Sequence, residues 1–554
     1  MLLTALPLLA AFVTATERPA ATTSNNITFY GGHKQRVESF LGIRFAHDTS
    51  GSRRFKPPIK FEYLPGSDVY ATRIGPACPQ PPNPNISEDC LRLNVFRPNG
   101  TTSTSKLPVM VYLHGGSFVA GSKDDPMTQP GGLILQSVQN GHSVMHVSMN
   151  YRLGVFGFAQ SHALKKERSE NAGLRDQRLA SEWVMENIRA FGGDSSPSNP
   201  ESESIGDADG NRLGDPDNVT IHGQSSGGLS VGMQILAFGG AKSQLFHRGI
   251  AQSQALENGI TGNFTRNPMQ KVADGTGCNT TDLQSADTIT CLRKLSMDEL
   301  LRAENNSLGA SPGDNLGDEW LPVVDGDFLP AAPSNLIATG QFYNISMIAG
   351  WCQDDANQFV DFFRAYLPGF TTENLDNLLA LYPISELQAA YFPNGSLEQP
   401  SELCRAGRIV RDILFVCQAV NLGAGLHKAG NKVYFYDQNQ TMLTPLLESE
   451  GQYGYGVVHT SELAYVFGNL SYYEFPGIPY HPTTSDFALR DRESRTWSSF
   501  ARREHGIYVI GGPNEGYAGL TDGNPASQRA VSGQRIRERC AFLNSPEIVR
   551  QQLY

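Results

Sequence analysis

The chain has 554 residues, of which 40% are hydrophobic and 18% charged, with a formal net charge of −11. By length alone that is roughly two to four ordinary domains, or one large α/β unit with an ample core. The acidic balance, with no basic cluster, argues against nucleic acid as a partner. No apolar run beyond the N-terminus reads as a stably inserted membrane segment.

Residues 1–15 (MLLTALPLLAAFVTA) are apolar and end in small residues. This pattern predicts a secretory signal peptide cleaved after Ala15, with an N-terminal anchor as the alternative. A secreted, extracellular protein fits two further features. The chain carries eleven N-x-S/T sequons, from Asn26 to Asn469, and an even number of cysteines, eight.

Apolar β-type runs then alternate with helical patterns. Strands are predicted at 107–113 and 143–148, and a helix at 179–191 from the spacing of Leu179, Trp183, Val184, Ile188 and Phe191. Further strands are predicted at 220–222, 249–253, 345–350 and 433–436. Such alternation predicts an α/β architecture: a large, mostly parallel central sheet with helices on both faces and ligands at the carboxyl ends of its strands. One stretch breaks the pattern. Residues 195–215 are polar, with no aromatic residue and a single Leu and Ile. Without them the chain would read Phe-Gly-Gly-Asp-Pro-Asp-Asn-Val-Thr. The segment is read as an atypical insert: a retained intron, being a whole number of codons, or a surface loop. The rest, 16–554, is taken as one domain.

Candidate chemistry begins at Gly223-Gln224-Ser225-Ser226-Gly227, a G-x-S-x-G sequence after a strand and before a helix. In that setting it is a nucleophile elbow. Acyl transfer also needs N–H donors for an oxyanion, a base, and a carboxylate to orient the base. His114-Gly115-Gly116-Ser117 follows a buried strand and supplies the donor candidates. The base candidate is His459, with His481 and His505 as rivals. The acid candidate is Asp355, with Asp354 beside it as a direct rival.

Several segments are similar to the type-B carboxylesterase and cholinesterase family. They are Phe-Leu-Gly-Ile-Arg-Phe-Ala at 40–46, Ser-Glu-Asp-Cys-Leu-Arg-Leu-Asn-Val at 87–95 and Asn-Tyr-Arg-Leu-Gly at 150–154. With them go Asn-Ala-Gly-Leu-Arg-Asp-Gln at 171–177 and Phe-His-Arg-Gly-Ile-Ala-Gln-Ser at 246–253. Together with the elbow and the His-Gly-Gly turn they resemble a fungal-type member over nearly the whole mature chain. The resemblance implies an α/β-hydrolase fold and a catalytic Ser225, Asp355 and His459. It places the oxyanion donors on the N–H groups of Gly116, Ser117 and Ser226, and needs no metal or organic cofactor. Asp355 stands where the family usually has Glu, and Ser117 where glycine is more usual. The resemblance also pairs Cys78 with Cys90, Cys278 with Cys291 and Cys417 with Cys540. Cys352 and Cys404 are then left either as a fourth bond or as buried thiols.

Two departures narrow the substrate. Only 79–89 lies between the first two cysteines, too short and Pro-rich for an interfacial lid. Gln224 stands where cholinesterases carry Glu, which removes a negative charge from the site. A serine carboxylesterase acting on small or medium soluble esters through an acyl-enzyme is therefore expected. A lipase or sterol esterase of the same family is the alternative, and a non-catalytic adhesion protein on the same fold a more distant one.

Overall fold

Apolar runs buried on both faces build the centre of one large sheet. The structure, a computed structural model, describes residues 18–554 except 82, 195–217, 263–264, 280–281, 283, 309–318, 360–368, 387–400, 474–480, 501–505 and 520–523. The predicted signal segment 1–15, the insert 195–215 and His505 lie outside the described residues. The sheet's strands in chain order are β1 (Gly32–Lys34), β2 (Val37–Arg44), β3 (Arg92–Pro98), β4 (Val109–Leu113), β5 (Met145–Met149) and β6 (Val219–Gln224). They continue with β7 (Arg248–Gln252), β8 (Ser346–Cys352), β9 (Val433–Gln438), β10 (Gly506–Ile510) and β11 (Gly516–Gly519). Their spatial order is β11-β10-β9-β8-β7-β6-β4-β5-β3-β2-β1.

Pairing is parallel from β5 through β4, β6, β7, β8 and β9 to β10, and antiparallel at both margins. This is the α/β-hydrolase arrangement. Every predicted strand lies in the parallel centre. The marginal strands β1 to β3 and β11 were not predicted, because they lack the long apolar run that marks a strand covered on both sides, whereas β10 carries such a run, Ile507-Tyr508-Val509-Ile510, and was missed. A separate small sheet joins Ala20–Thr22, Thr28–Tyr30 and Asp68–Tyr70.

Strand β4 shows how the core is divided. Val109, Val111 and Leu113 face one apolar cluster, while Met110 and Tyr112 face another. Successive side chains point to opposite faces of a strand, so one strand nails two helical layers to the sheet. The predicted helix at 179–191 is the end of a longer one, Ala172–Asn187, finished by a 3₁₀ turn, Ile188–Phe191. Its Asp176 takes a bidentate ion pair from Arg152, at 2.8 and 2.6 Å, with both side chains buried. The run Glu402–Lys428 is apolar and long enough to cross a membrane by composition, yet 78% of its most apolar window is buried inside the fold. It serves as a core helix here.

The structure contains disulfides Cys78–Cys90, Cys278–Cys291 and Cys417–Cys540. Cys352 and Cys404 are free and buried, so there is no fourth bond between them.

Candidate active site

Strand β6 passes into the helix Ser226–Leu236 with one residue between them, Ser225, at φ 59° and ψ −133°. A side chain rarely tolerates that conformation, which costs of order 1–3 kcal/mol. Packing holds it there. A Cβ on Gly223 would collide with the carbonyl of Gly227, and one on Gly227 with the carbonyl of Leu113. A Cβ on Gly115 would lie 2.6 Å from the Gln224 carbonyl and 3.0 Å from the Ser225 Cβ. The elbow is thus pressed backbone to backbone against the end of β4, and only glycine permits that approach. Ser225 N–H donates to Gln252 O at 2.9 Å, fixing the turn to β7.

The loop after β4 crosses in front of Ser225. Gly116 has φ 111°, and Ser117 and Phe118 follow at 52° and 56°. Ser117 therefore does occupy the left-handed region that glycine would take more freely, at a cost of about 1 kcal/mol. Three hydrogen bonds restrain the loop. Tyr151 O–H donates to His114 O at 2.6 Å, Phe118 N–H donates to Ser226 Oγ at 3.3 Å, and Gly154 N–H donates to Phe118 O at 2.7 Å. Ser226 opens its helix, where backbone N–H groups have no intrahelical acceptor and carry partial positive charge. His114 stacks on Tyr151, and burial pushes its pKa down to about 4, so it stays neutral.

On the other side, His459 Nδ1 and Asp355 Oδ1 are 2.6 Å apart, with Asp355 fully buried. The second oxygen of Asp355 accepts from Cys352 N–H at 2.8 Å. Asp354 does something else. Its carboxylate accepts from Val457 N–H at 2.9 Å, and its N–H donates to Val457 O at 3.0 Å, so it fastens the loop that delivers His459. His481 is exposed. With Nδ1–H given to Asp355, His459 presents Nε2 as an acceptor. The Gln224 amide lies 3.2 Å from it. The residue before Ser225 thus touches His459 directly.

Sequence reasoning missed the groups behind this pair. Glu462, three residues after His459, is fully buried, accepting from Gln252 Nε2 at 3.2 Å and from the Cys352 thiol at 3.3 Å. Burial and then the charge of Asp355 raise its pKa. Burial and the nearby Glu462 charge raise the Cys352 thiol as well, so it remains a thiol. Phe415 lies nearly parallel to the His459 ring at 5.1 Å, and Phe359 meets it edge-on at 5.4 Å. Phe415 sits in a π-helical turn, Asp412–Val416, a distortion that favours functional sites. Gln80, inside the Cys78–Cys90 loop, bonds Gly121 in both directions: its amide donates to Gly121 O at 2.8 Å and accepts from Gly121 N–H at 2.9 Å. Among the described residues no cluster of metal-ligating side chains occurs.

Comparison with known proteins gives one consistent answer. The sequence model of the carboxylesterase family matches residues 26–197 and 213–516. The break between these matches falls inside the polar stretch 195–215. The chain is 42% identical to a secreted lipase of Arthroderma benhamiae, over 98% of this chain and 97% of that protein. It is 33% identical to an inactive carboxylesterase-like protein of Byssochlamys spectabilis, over 86% of this chain and 82% of that one. The crystal structure of EstA from Aspergillus niger superimposes with a TM-score of 0.74 at 24% identity, covering 97% of this chain and 99% of EstA. The chain belongs to the carboxylesterase family and is a carboxylic ester hydrolase.

Proposed function

We propose that this protein is a secreted serine carboxylesterase that works through an acyl-enzyme, with Ser225 as nucleophile, His459 as base and Asp355 as acid. One observation carries the reading. His459 spans the gap between the buried carboxylate and the elbow, with Nδ1 on Asp355 and Nε2 beside the residue preceding Ser225. His459 takes the Ser225 proton as Oγ attacks the ester carbonyl. The N–H groups of Gly116, Ser117 and Ser226 receive the oxyanion, each contributing a few kcal/mol in the transition state. His459 then protonates the departing alcohol, and water releases the acid by the same route.

Export is supported by the three disulfides, which persist in oxidising compartments, and by the name of the Arthroderma relative. Soluble esters are favoured by the Cys78–Cys90 loop, which is short and clamped through Gln80 to Gly121, next to the oxyanion loop. Such a loop is poorly suited to swing as a lid. A lipase is the second reading, favoured by the 42% identity to a secreted lipase.

A p-nitrophenyl ester series with Ser225→Ala as control tests the proposal. Wild type should hydrolyse the short and medium esters, and the variant should not. Full activity in Ser225→Ala would overturn the assignment. A rate jump on emulsified or micellar substrate would decide for the lipase.

A further inference from the structure

The helix Met297–Leu308 carries a buried carboxyl, Glu304, to the start of the short helix Gly154–Phe158. Glu304 Oε1 accepts from Val155 N–H at 3.2 Å. The same oxygen occupies the space that a side chain at 154 would need: a Cβ on Gly154, at φ +50°, would collide with it. Gly154 N–H in turn donates to Phe118 O at 2.7 Å, while Phe118 N–H donates to Ser226 Oγ. The left-handed Ser117-Phe118 pair is therefore gripped from two sides, by the elbow helix and by Gly154. The grip at Gly154 is only as firm as whatever holds Gly154.

We infer that Glu304 is a positioning residue for the oxyanion loop, its carboxyl seated in the side-chain space of Gly154 and bonded to Val155 so as to fix the N–H that clamps Phe118. The inference rests on the proposed oxyanion role of Gly116 and Ser117. It goes beyond that role by assigning the loop's geometry to a residue that touches no reacting atom.

Among the described residues, the charged group that acts on Glu304 is Glu319, itself buried. Two carboxyls sharing a dry site cannot both ionise cheaply. Burial, less the Val155 hydrogen bond, and then the Glu319 charge push Glu304 up to about 8. At neutral pH it is protonated. Above about pH 8 a charge forms opposite Glu319, and the repulsion between the two, set against a stronger bond from Val155 N–H, works to displace the carboxyl from its seat beside Gly154.

The test compares wild type, Glu304→Gln and Glu304→Ala from pH 6 to 10. It reads kcat and KM on a p-nitrophenyl ester and affinity for a trifluoromethyl ketone, which forms a tetrahedral adduct with a serine nucleophile. Glu304→Ala should lower kcat about tenfold with little change in KM, and weaken the ketone by a similar factor, because only the tetrahedral species uses the loop fully. Wild type should lose kcat above pH 8, and Glu304→Gln, which cannot ionise, should not. An alanine variant with normal kcat and ketone affinity, or a glutamine variant with the wild-type alkaline fall, overturns the inference. If Glu304→Ala does not fold, the glutamine pH profile decides alone. Failure of the proposed function would instead show as activity surviving Ser225→Ala.

Discussion

The two sides of the site are built by different means. On the Ser225 side the geometry comes from crowding: Gly115, Gly223 and Gly227 let three stretches of main chain touch, and the strained Ser225 is locked among them. On the His459 side it comes from side-chain hydrogen bonds: His459 Nδ1–H to Asp355, Cys352 N–H to Asp355, Val457 N–H to Asp354 and Gln252 Nε2–H to Glu462. Backbone crowding cannot be adjusted one atom at a time, whereas a hydrogen-bonded array can. A Cβ added among the packed glycines should therefore break the fold itself, whereas substitutions in the hydrogen-bonded array should leave the fold standing and act on rates and pH profiles.

The sharpest contrast is between Ser225→Ala and Gly227→Ala. The first should cost on the order of 10⁴-fold or more in kcat while leaving the thermal midpoint nearly unchanged. The second should destabilise the protein by several kcal/mol, or prevent its folding, since its Cβ meets main chain that cannot move aside. A soluble, well-folded Gly227→Ala with a normal melting curve would break the comparison. Next in size is Asp355→Asn, expected to lower kcat about 10⁴-fold by fixing the wrong His459 tautomer. Asp354→Asn should keep kcat within roughly tenfold and lose some stability through the Val457 contacts. Equal losses in both would refute the division of labour between them.

A smaller effect is expected from Gln224→Glu, which sets a carboxylate beside His459 Nε2. It should stabilise the imidazolium and raise the acid limb of the kcat/KM profile by about one pH unit. An unmoved profile would mean that Gln224 does not contact the working base. The smallest effect is remote from the chemistry. His146 on β5 and His222 on β6 are fully buried with Nε2 atoms 3.2 Å apart. Burial lowers both pKa values, that of His146 to about 3. A histidine kept neutral in the folded state takes up protons more readily when unfolded, so its stabilising effect is present above about pH 6.5 and is lost as pH falls from there toward about 3. His146→Gln should flatten the fall of the melting temperature over that interval without altering kcat at pH 7.

The same contrast explains what could be read from the sequence. The elbow and the His-Gly-Gly turn were legible because close backbone approach leaves glycines at fixed local spacing. The central strands were legible because burial on both faces leaves an unbroken apolar run. The choice between Asp354 and Asp355 was not legible from local pattern, because it depends on which carboxylate meets a histidine 104 residues away. Glu462 stood in plain view three residues after His459, but nothing local distinguishes a buried acid from a solvated one. The family resemblance pointed to Asp355 and His459, yet gave no hint that Gln224 would lie against His459 or that Gln80 would clamp Gly121.

The Cys417–Cys540 bond links residues 123 apart in sequence, and His459 lies within that span while Ser225 and Asp355 lie outside it. A cross-link enclosing so long a loop removes about 4–5 kcal/mol of chain entropy from the unfolded state on a simple loop-closure account. During synthesis the bond cannot form until Cys540 has emerged, long after the residues of the elbow and of β8 have been made. The segments that carry Ser225 and Asp355 are thus synthesised before the cross-link can close, whereas His459 lies inside the loop that it closes.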